Sequence, residues 1–169
     1  DLSLGLLENV ETPVPFIPEP PISAIPENKS KPYSFLEQKF TRNELEYWQQ
    51  YGITTEMLKA YKVCSVKEFK SENNEGKSYS IVSSALEPTF GYKSKRYIKL
   101  YRPSSKMRFL YGGDIGEKYC FGLEQLPAKG DTVFITGGEK DVLSLATHGF
   151  HAICFNSETV SVPTEIIHK

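Results

Sequence analysis

TVFITGGEKDVLSLATHGFHAICFNSET, residues 132–159, decides the reading of this chain, because it passes from strand to turn to helix to strand within one short unit. Val133, Phe134 and Ile135 form an apolar run that suits a strand buried on both faces of a parallel sheet. Gly137, Gly138, Glu139, Lys140 and Asp141 then turn the chain. From Val142 onward, Leu143, Leu145 and Ala146 follow helical spacing, and Gly149 stands where a helix C-terminal glycine belongs. Ala152 to Phe155 reads as a second buried strand. A β-α-β unit of this kind predicts an α/β sheet, and open sheets of that class carry their sites at the carboxyl ends of the strands. The acidic turn and the turn Asn156-Ser157-Glu158-Thr159 are therefore expected side by side.

The segment before this unit carries strand signals over residues 62–112. They are clearest at Lys77 to Ser83, at Tyr97 to Arg102 and at Arg108 to Tyr111. In the middle run Ile98 and Leu100 alternate with Lys99 and Tyr101, which predicts one buried face and one charged, aromatic face. Between Gly91 and Phe109 stand Lys93, Lys95, Arg96, Lys99, Arg102, Lys106 and Arg108, with no acidic residue among them. Cations interleaved with Tyr92, Tyr97, Tyr101 and Tyr111 suit a track for single-stranded nucleic acid, in which lysine and arginine meet phosphates and rings stack on bases. A merely solvated strand face is the alternative. Further upstream, Thr41-Arg42-Asn43-Glu44 has the form of a capping box, Gly52 ends that helix, and Thr54 opens another. Trp48 is expected as a core anchor, with direct nucleic-acid contact by the helix pair as the other possibility.

Residues 132–159 resemble the first half of a TOPRIM domain, the metal-dependent module of DnaG-type primases, topoisomerases and some nucleases. The version in phage and mitochondrial primase-helicases is most similar, and its turn is matched in place by Thr136, Gly138, Glu139, Asp141 and Ser144. Its leading glutamate, the acid/base group, falls on Gly137, which has no side chain to move a proton. Tyr47-Trp48 with Gly52-Ile53-Thr54, and Phe109 to Gly113 followed by Tyr119 to Leu123, resemble elements that precede this module in the same proteins.

The resemblance implies an α/β architecture in three parts: a proline-rich arm over residues 1–32, a basic mixed α/β (α+β) part over 33–128, and a partial TOPRIM sheet over 129–169, cut before the family's Asp-x-Asp strand. It implies DNA primase chemistry for the parent protein, the template-directed synthesis of RNA primers with Mg2+. The partners implied are single-stranded DNA and nucleoside triphosphates, with a helicase and a zinc-binding module outside the chain. Lys93, Lys95, Arg96, Lys99, Arg102 and Arg108 would hold template or triphosphate, and Glu139 with Asp141 would form part of the metal environment. Three roles stay open for Glu139: orienting substrate, substituting for the carboxylate missing at Gly137, or stabilising a helix start through the macrodipole. A non-catalytic nucleic-acid-binding module and a nuclease or topoisomerase-like enzyme are the rival readings.

Composition bounds these readings. At 169 residues and 39% hydrophobic content the chain can bury one ordinary core. No run of apolar residues is long enough for a membrane span, and the first residues lack the pattern of a secretory leader, so a cytoplasmic setting is expected. Cys64, Cys120 and Cys154 are too scattered for a zinc ribbon or a disulfide framework and are expected as buried thiols. His148 and His151 have no partner at metal spacing. Seven of the eleven prolines lie in residues 1–32, which suits a linker or arm and not a helix or a central strand. The chain has no G-x-x-x-x-G-K-[ST], so it carries no P-loop, and the glycine pair at 137 and 138 alone is a weak phosphate-binding signal.

Overall fold

The computed structural model describes residues 31–116 and 119–157. Most of the proline-rich arm, together with Glu158 and Thr159 of the second turn, lies outside the described residues.

The first strand, β1 (Tyr33–Gln38), leads into helix α1 (Arg42–Gln49). Thr41 caps this helix: its hydroxyl accepts from the Glu44 N–H at 3.3 Å, and the Glu44 carboxylate accepts from the Thr41 N–H at 2.7 Å. The expected capping box is thus formed, satisfying two donors that a helix start leaves open. Helix α2 (Thr55–Ala60) follows, capped by Thr54. Then comes the antiparallel meander β2 (Val63–Glu72), β3 (Ser78–Val82), β4 (Phe90–Lys93), β5 (Tyr97–Tyr101) and β6 (Phe109–Gly113). Strand β2 is long enough to serve two neighbours on one side, with Val63 to Ser65 pairing β4 and Glu68 to Glu72 pairing β3. Its other side pairs β1, giving a six-stranded sheet in the order β1-β2-β4-β5-β6 with β3 as a branch.

The second sheet has the order β7-β9-β8, built from β7 (Cys120–Phe121), β8 (Phe134–Thr136) and β9 (Ala152–Phe155). Strands β8 and β9 run parallel and are joined by α3 (Glu139–Thr147), so the expected β-α-β unit is present. Helix α3 ends in a Schellman motif: the Gly149 N–H donates to the Ala146 carbonyl and the Phe150 N–H to the Leu145 carbonyl. Gly149 adopts φ +82°, a conformation that glycine takes without steric cost. The described residues therefore form a mixed α/β structure, a large antiparallel sheet and a small mixed one with three α-helices. Among the described residues no helix is long and apolar enough to cross a membrane.

Two sequence expectations fail here. Val133, Phe134 and Ile135 are exposed rather than buried, Ile135 by 55%, because β9 occupies the middle of the small sheet and leaves β8 at its edge. The one-sided pattern expected for β5 is also wrong. Ile98 and Leu100 pack with Cys64, Val66 and Phe69 on one face, while Tyr101 packs with Trp48, Phe90 and Tyr92 on the other. With β4 and β6 on its flanks, layers on both faces enclose β5, so its polar alternation marks a second packed face. Trp48 is fully buried and joins this core, as expected of an anchor. The same core reaches Tyr119, Phe121, Val142, Leu143 and Cys154, so one apolar interior joins the two sheets.

Candidate functional site

Helix α3 starts at Glu139 because Gly138, extended at φ −170°, lets the chain leave β8 and turn. The Thr136 hydroxyl donates to the Gly138 carbonyl at 3.1 Å, closing the turn. No side chain caps the helix, so its first-turn acids, Glu139 and Asp141, face the positive end of the helix dipole. The two nevertheless have different surroundings, since Asp141 is exposed and Glu139 is only 3% exposed.

Glu139 is directed at the large sheet. Its Oε1 accepts from Lys99 Nζ at 2.6 Å and from the Tyr119 hydroxyl at 2.6 Å. Lys99 is 4% exposed and lies among aromatic rings, with Nζ 4.8 Å from the centroid of Phe109 and 5.1 Å from that of Tyr119. A buried cation and a buried anion each carry a large desolvation cost, and here each offsets the other's while the rings add cation–π attraction. Burial, followed by the negative charge of Glu139, raises the Tyr119 phenol far above its ordinary range, so Tyr119 stays a proton donor. The triad fastens the start of α3 to the middle of β5.

This geometry corrects the placement of Lys99, expected on a solvated basic face and found inside. Tyr92 and Tyr101, expected to stack on bases, are buried core residues, and burial raises the Tyr92 phenol. Of the four tyrosines, Tyr111 on β6 is the exposed one and Tyr97 is half-buried. Phe109 joins Tyr111 on the same exposed strand face, two residues apart.

The remaining cations fall at the two ends of β5. Lys95 and Arg96 occupy the β4–β5 turn, whereas Arg102, Lys106 and Arg108 occupy the β5–β6 turn. Six residues of extended chain separate Arg96 from Arg102, about 20 Å at the strand rise. Lys93 is paired with Glu37 at 2.7 Å, Arg102 with Glu87 at 3.3 Å, and Arg96 with Asp114 at 3.7 Å. Lys95, Lys106 and Arg108 are exposed and form no ion pair among the described residues. The structure thus brings Lys99 and Glu139 together and spreads the other basic residues over two hairpin ends.

The parallel register, with Thr136 opposite Cys154, points the ends of β8 and β9 the same way, so Gly137-Gly138 and Asn156 leave the sheet on one side. Asn156 Oδ1 is buried there without a partner among the described residues. No three carboxylate, histidine or cysteine side chains converge on one point among the described residues. Glu139 Oε1 is already occupied by two donors and Asp141 stands apart in solvent, so these two residues alone do not form a seat for Mg2+, which takes several oxygen ligands. Cys64 and Cys154 are buried and all three thiols are free.

Tyr119 is the site residue that sequence reasoning left without a role. Its short spacing from Phe121 marks a strand, but nothing local points to a carboxylate 20 residues later. No family model, curated protein or solved structure matches this chain.

Proposed function

We propose that the chain is part of the polymerase region of a TOPRIM-type DNA primase, contributing nucleic-acid and nucleotide binding to the template-directed synthesis of RNA primers. The observation that carries the reading is the parallel β8-α3-β9 unit with Thr136-Gly137-Gly138-Glu139-Lys140-Asp141 at its strand-to-helix turn. It follows an antiparallel sheet whose hairpin ends carry Lys95, Arg96, Lys106 and Arg108. Single-stranded DNA and nucleoside triphosphates are the ligands this reading assigns to the cations. Mg2+ belongs to the reading through the resemblance alone, and no step is drawn through it from Glu139 and Asp141.

A second reading has its own support. Gly137 offers no carboxylate, and Glu139 is held by Lys99 and Tyr119 instead of facing outward, which favours a nucleic-acid-binding module without chemistry of its own. Asp141 separates the two, because it is exposed and its loss does not disturb the core. Ribonucleotide incorporation on a single-stranded template by the full-length parent should fall by orders of magnitude in Asp141→Ala at unchanged thermal stability. Primer synthesis that survives this substitution removes Asp141 from the chemistry, and a parent that binds template but makes no primer supports the binding module.

A further inference from the structure

A cleft of about 650 Å³ opens between the end of β1, helix α2 and the β4–β5 turn. Five lysines line it, Lys39, Lys59, Lys62, Lys93 and Lys95, against the single carboxylate of Glu37. They come from three separate parts of the chain. Lys39 follows β1, Lys59 sits in the last turn of α2, Lys62 joins α2 to β2, and Lys93 and Lys95 flank the end of β4. A backbone hydrogen bond from the Lys93 N–H to the Lys62 carbonyl at 3.2 Å ties two of these parts together. Lys93 is neutralised by Glu37 and Lys62 by Glu124, whereas Lys39, Lys59 and Lys95 are exposed and form no ion pair among the described residues.

Two observations set this cleft apart from an ordinary charged surface. Like charges gathered around one concavity repel one another, and an anion entering it would relieve that repulsion. Lys62 also adopts φ +56°, the one non-glycine residue with a left-handed backbone among those described. Such a conformation costs free energy, and it holds a lysine where a glycine would fit without strain. The lining contains no arginine, so bidentate capture of one phosphate is not its mode. Phe40, the one aromatic residue of the lining, is half-buried and already stacked on Phe90. Flexible point charges around an open trough fit a chain of phosphates passing through it.

We infer that this cleft binds the phosphodiester backbone of a nucleic-acid strand, independently of base sequence. The assignment rests on the nucleic-acid binding proposed above and deepens it, giving roles to Lys39, Lys59 and Lys62 whether or not the parent makes primers. Three free lysines predict a slope of log affinity against log salt of about −2 from this cleft, since each neutralised phosphate of a single strand contributes about −0.7.

The test is fluorescence-anisotropy titration of the 169-residue chain with a labelled deoxythymidine 20-mer between 50 and 200 mM salt. Lys39→Gln with Lys59→Gln should weaken binding at least about tenfold at the lowest salt and flatten the slope by about 1.4. Lys67→Gln with Lys77→Gln, exposed residues outside the cleft, should change neither by much. Lys62→Gly should weaken binding while leaving the denaturation midpoint no lower than wild type, a combination that general misfolding does not produce. Unchanged affinity and slope in the Lys39/Lys59 variant overturn the assignment. So does tripolyphosphate or poly-glutamate competing as well as an unlabelled 20-mer at equal charge, which makes the cleft a general anion site. A full-length parent that makes no primer while the cleft binds the 20-mer would count against the primase reading alone.

Discussion

Replacing Glu139 by glutamine keeps the shape of the side chain and its acceptor for Tyr119 but removes the charge facing Lys99. The pair is separated by 2.6 Å with both side chains at least 96% buried. At an effective dielectric constant of about 20 the attraction across that gap is about 6 kcal/mol, most of which offsets the cost of desolvating the two ions. Removing one partner leaves the other charged and enclosed, so Glu139→Gln should cost about 3–5 kcal/mol, and Lys99→Met a similar amount. The double variant leaves no buried ion uncompensated and should lie much closer to wild type. The difference gives a coupling energy of at least about 2 kcal/mol in a double-mutant cycle. Urea denaturation of the four proteins measures it. A Glu139→Gln variant within about 1 kcal/mol of wild type, or additive single effects, would refute the claim that this pair fastens α3 to the large sheet.

Other consequences follow from local geometry. Trp48→Ala should lower stability by about 3–5 kcal/mol, read from the denaturation midpoint, because the indole is fully buried between α1 and the sheet. Gly122→Ala should cost more than about 1 kcal/mol: Gly122 has φ +89°, and an added Cβ would lie 2.4 Å from the Ala152 carbonyl oxygen. Gly137→Glu should leave stability within about 0.5 kcal/mol, since Gly137 is exposed and its φ is not left-handed. Burial pushes the Cys64 thiol up to about 12 from 9.0, so the folded state keeps a proton that the unfolded chain releases. Its contribution is complete below pH 9.0 and is lost as pH rises toward about 12, by about 1.4 kcal/mol per pH unit. Cys64→Ala should flatten the alkaline loss of stability by that amount, and an unaltered pH profile would rule this source out.

Local signals carried much of the fold. The Thr41 capping box, the Gly149 helix stop and the parallel β-α-β unit were readable because each rests on residues a few positions apart. Strand β1 was not read, and β2 and β4 were not singled out within residues 62–112, because their pairing is decided by distant partners. Lys99 shows the limit most clearly. In an alternating strand a lysine reads as solvent-facing, and only Glu139, 40 residues later, makes its burial tolerable. The exposure of β8 likewise depends on which strand takes the middle of the small sheet. Of the candidate site, Glu139 and Asp141 were visible as an acidic turn, but their opposite environments were not. Of the lysine cleft only Lys93 and Lys95 were visible, as members of the basic run, whereas Lys39, Lys59 and Lys62 are brought to them by chain reversal.

Nucleic-acid binding through the basic hairpin ends and the cleft beside them is the proposal on which the other readings depend. The most direct measurement is the affinity of the 169-residue chain for a single-stranded deoxythymidine 20-mer as a function of salt. Binding that weakens with a log–log slope of −2 or steeper, and flattens further in Arg96→Gln with Arg108→Gln, is the predicted result. No measurable binding at 50 mM salt, or affinity indifferent to salt, would contradict the account.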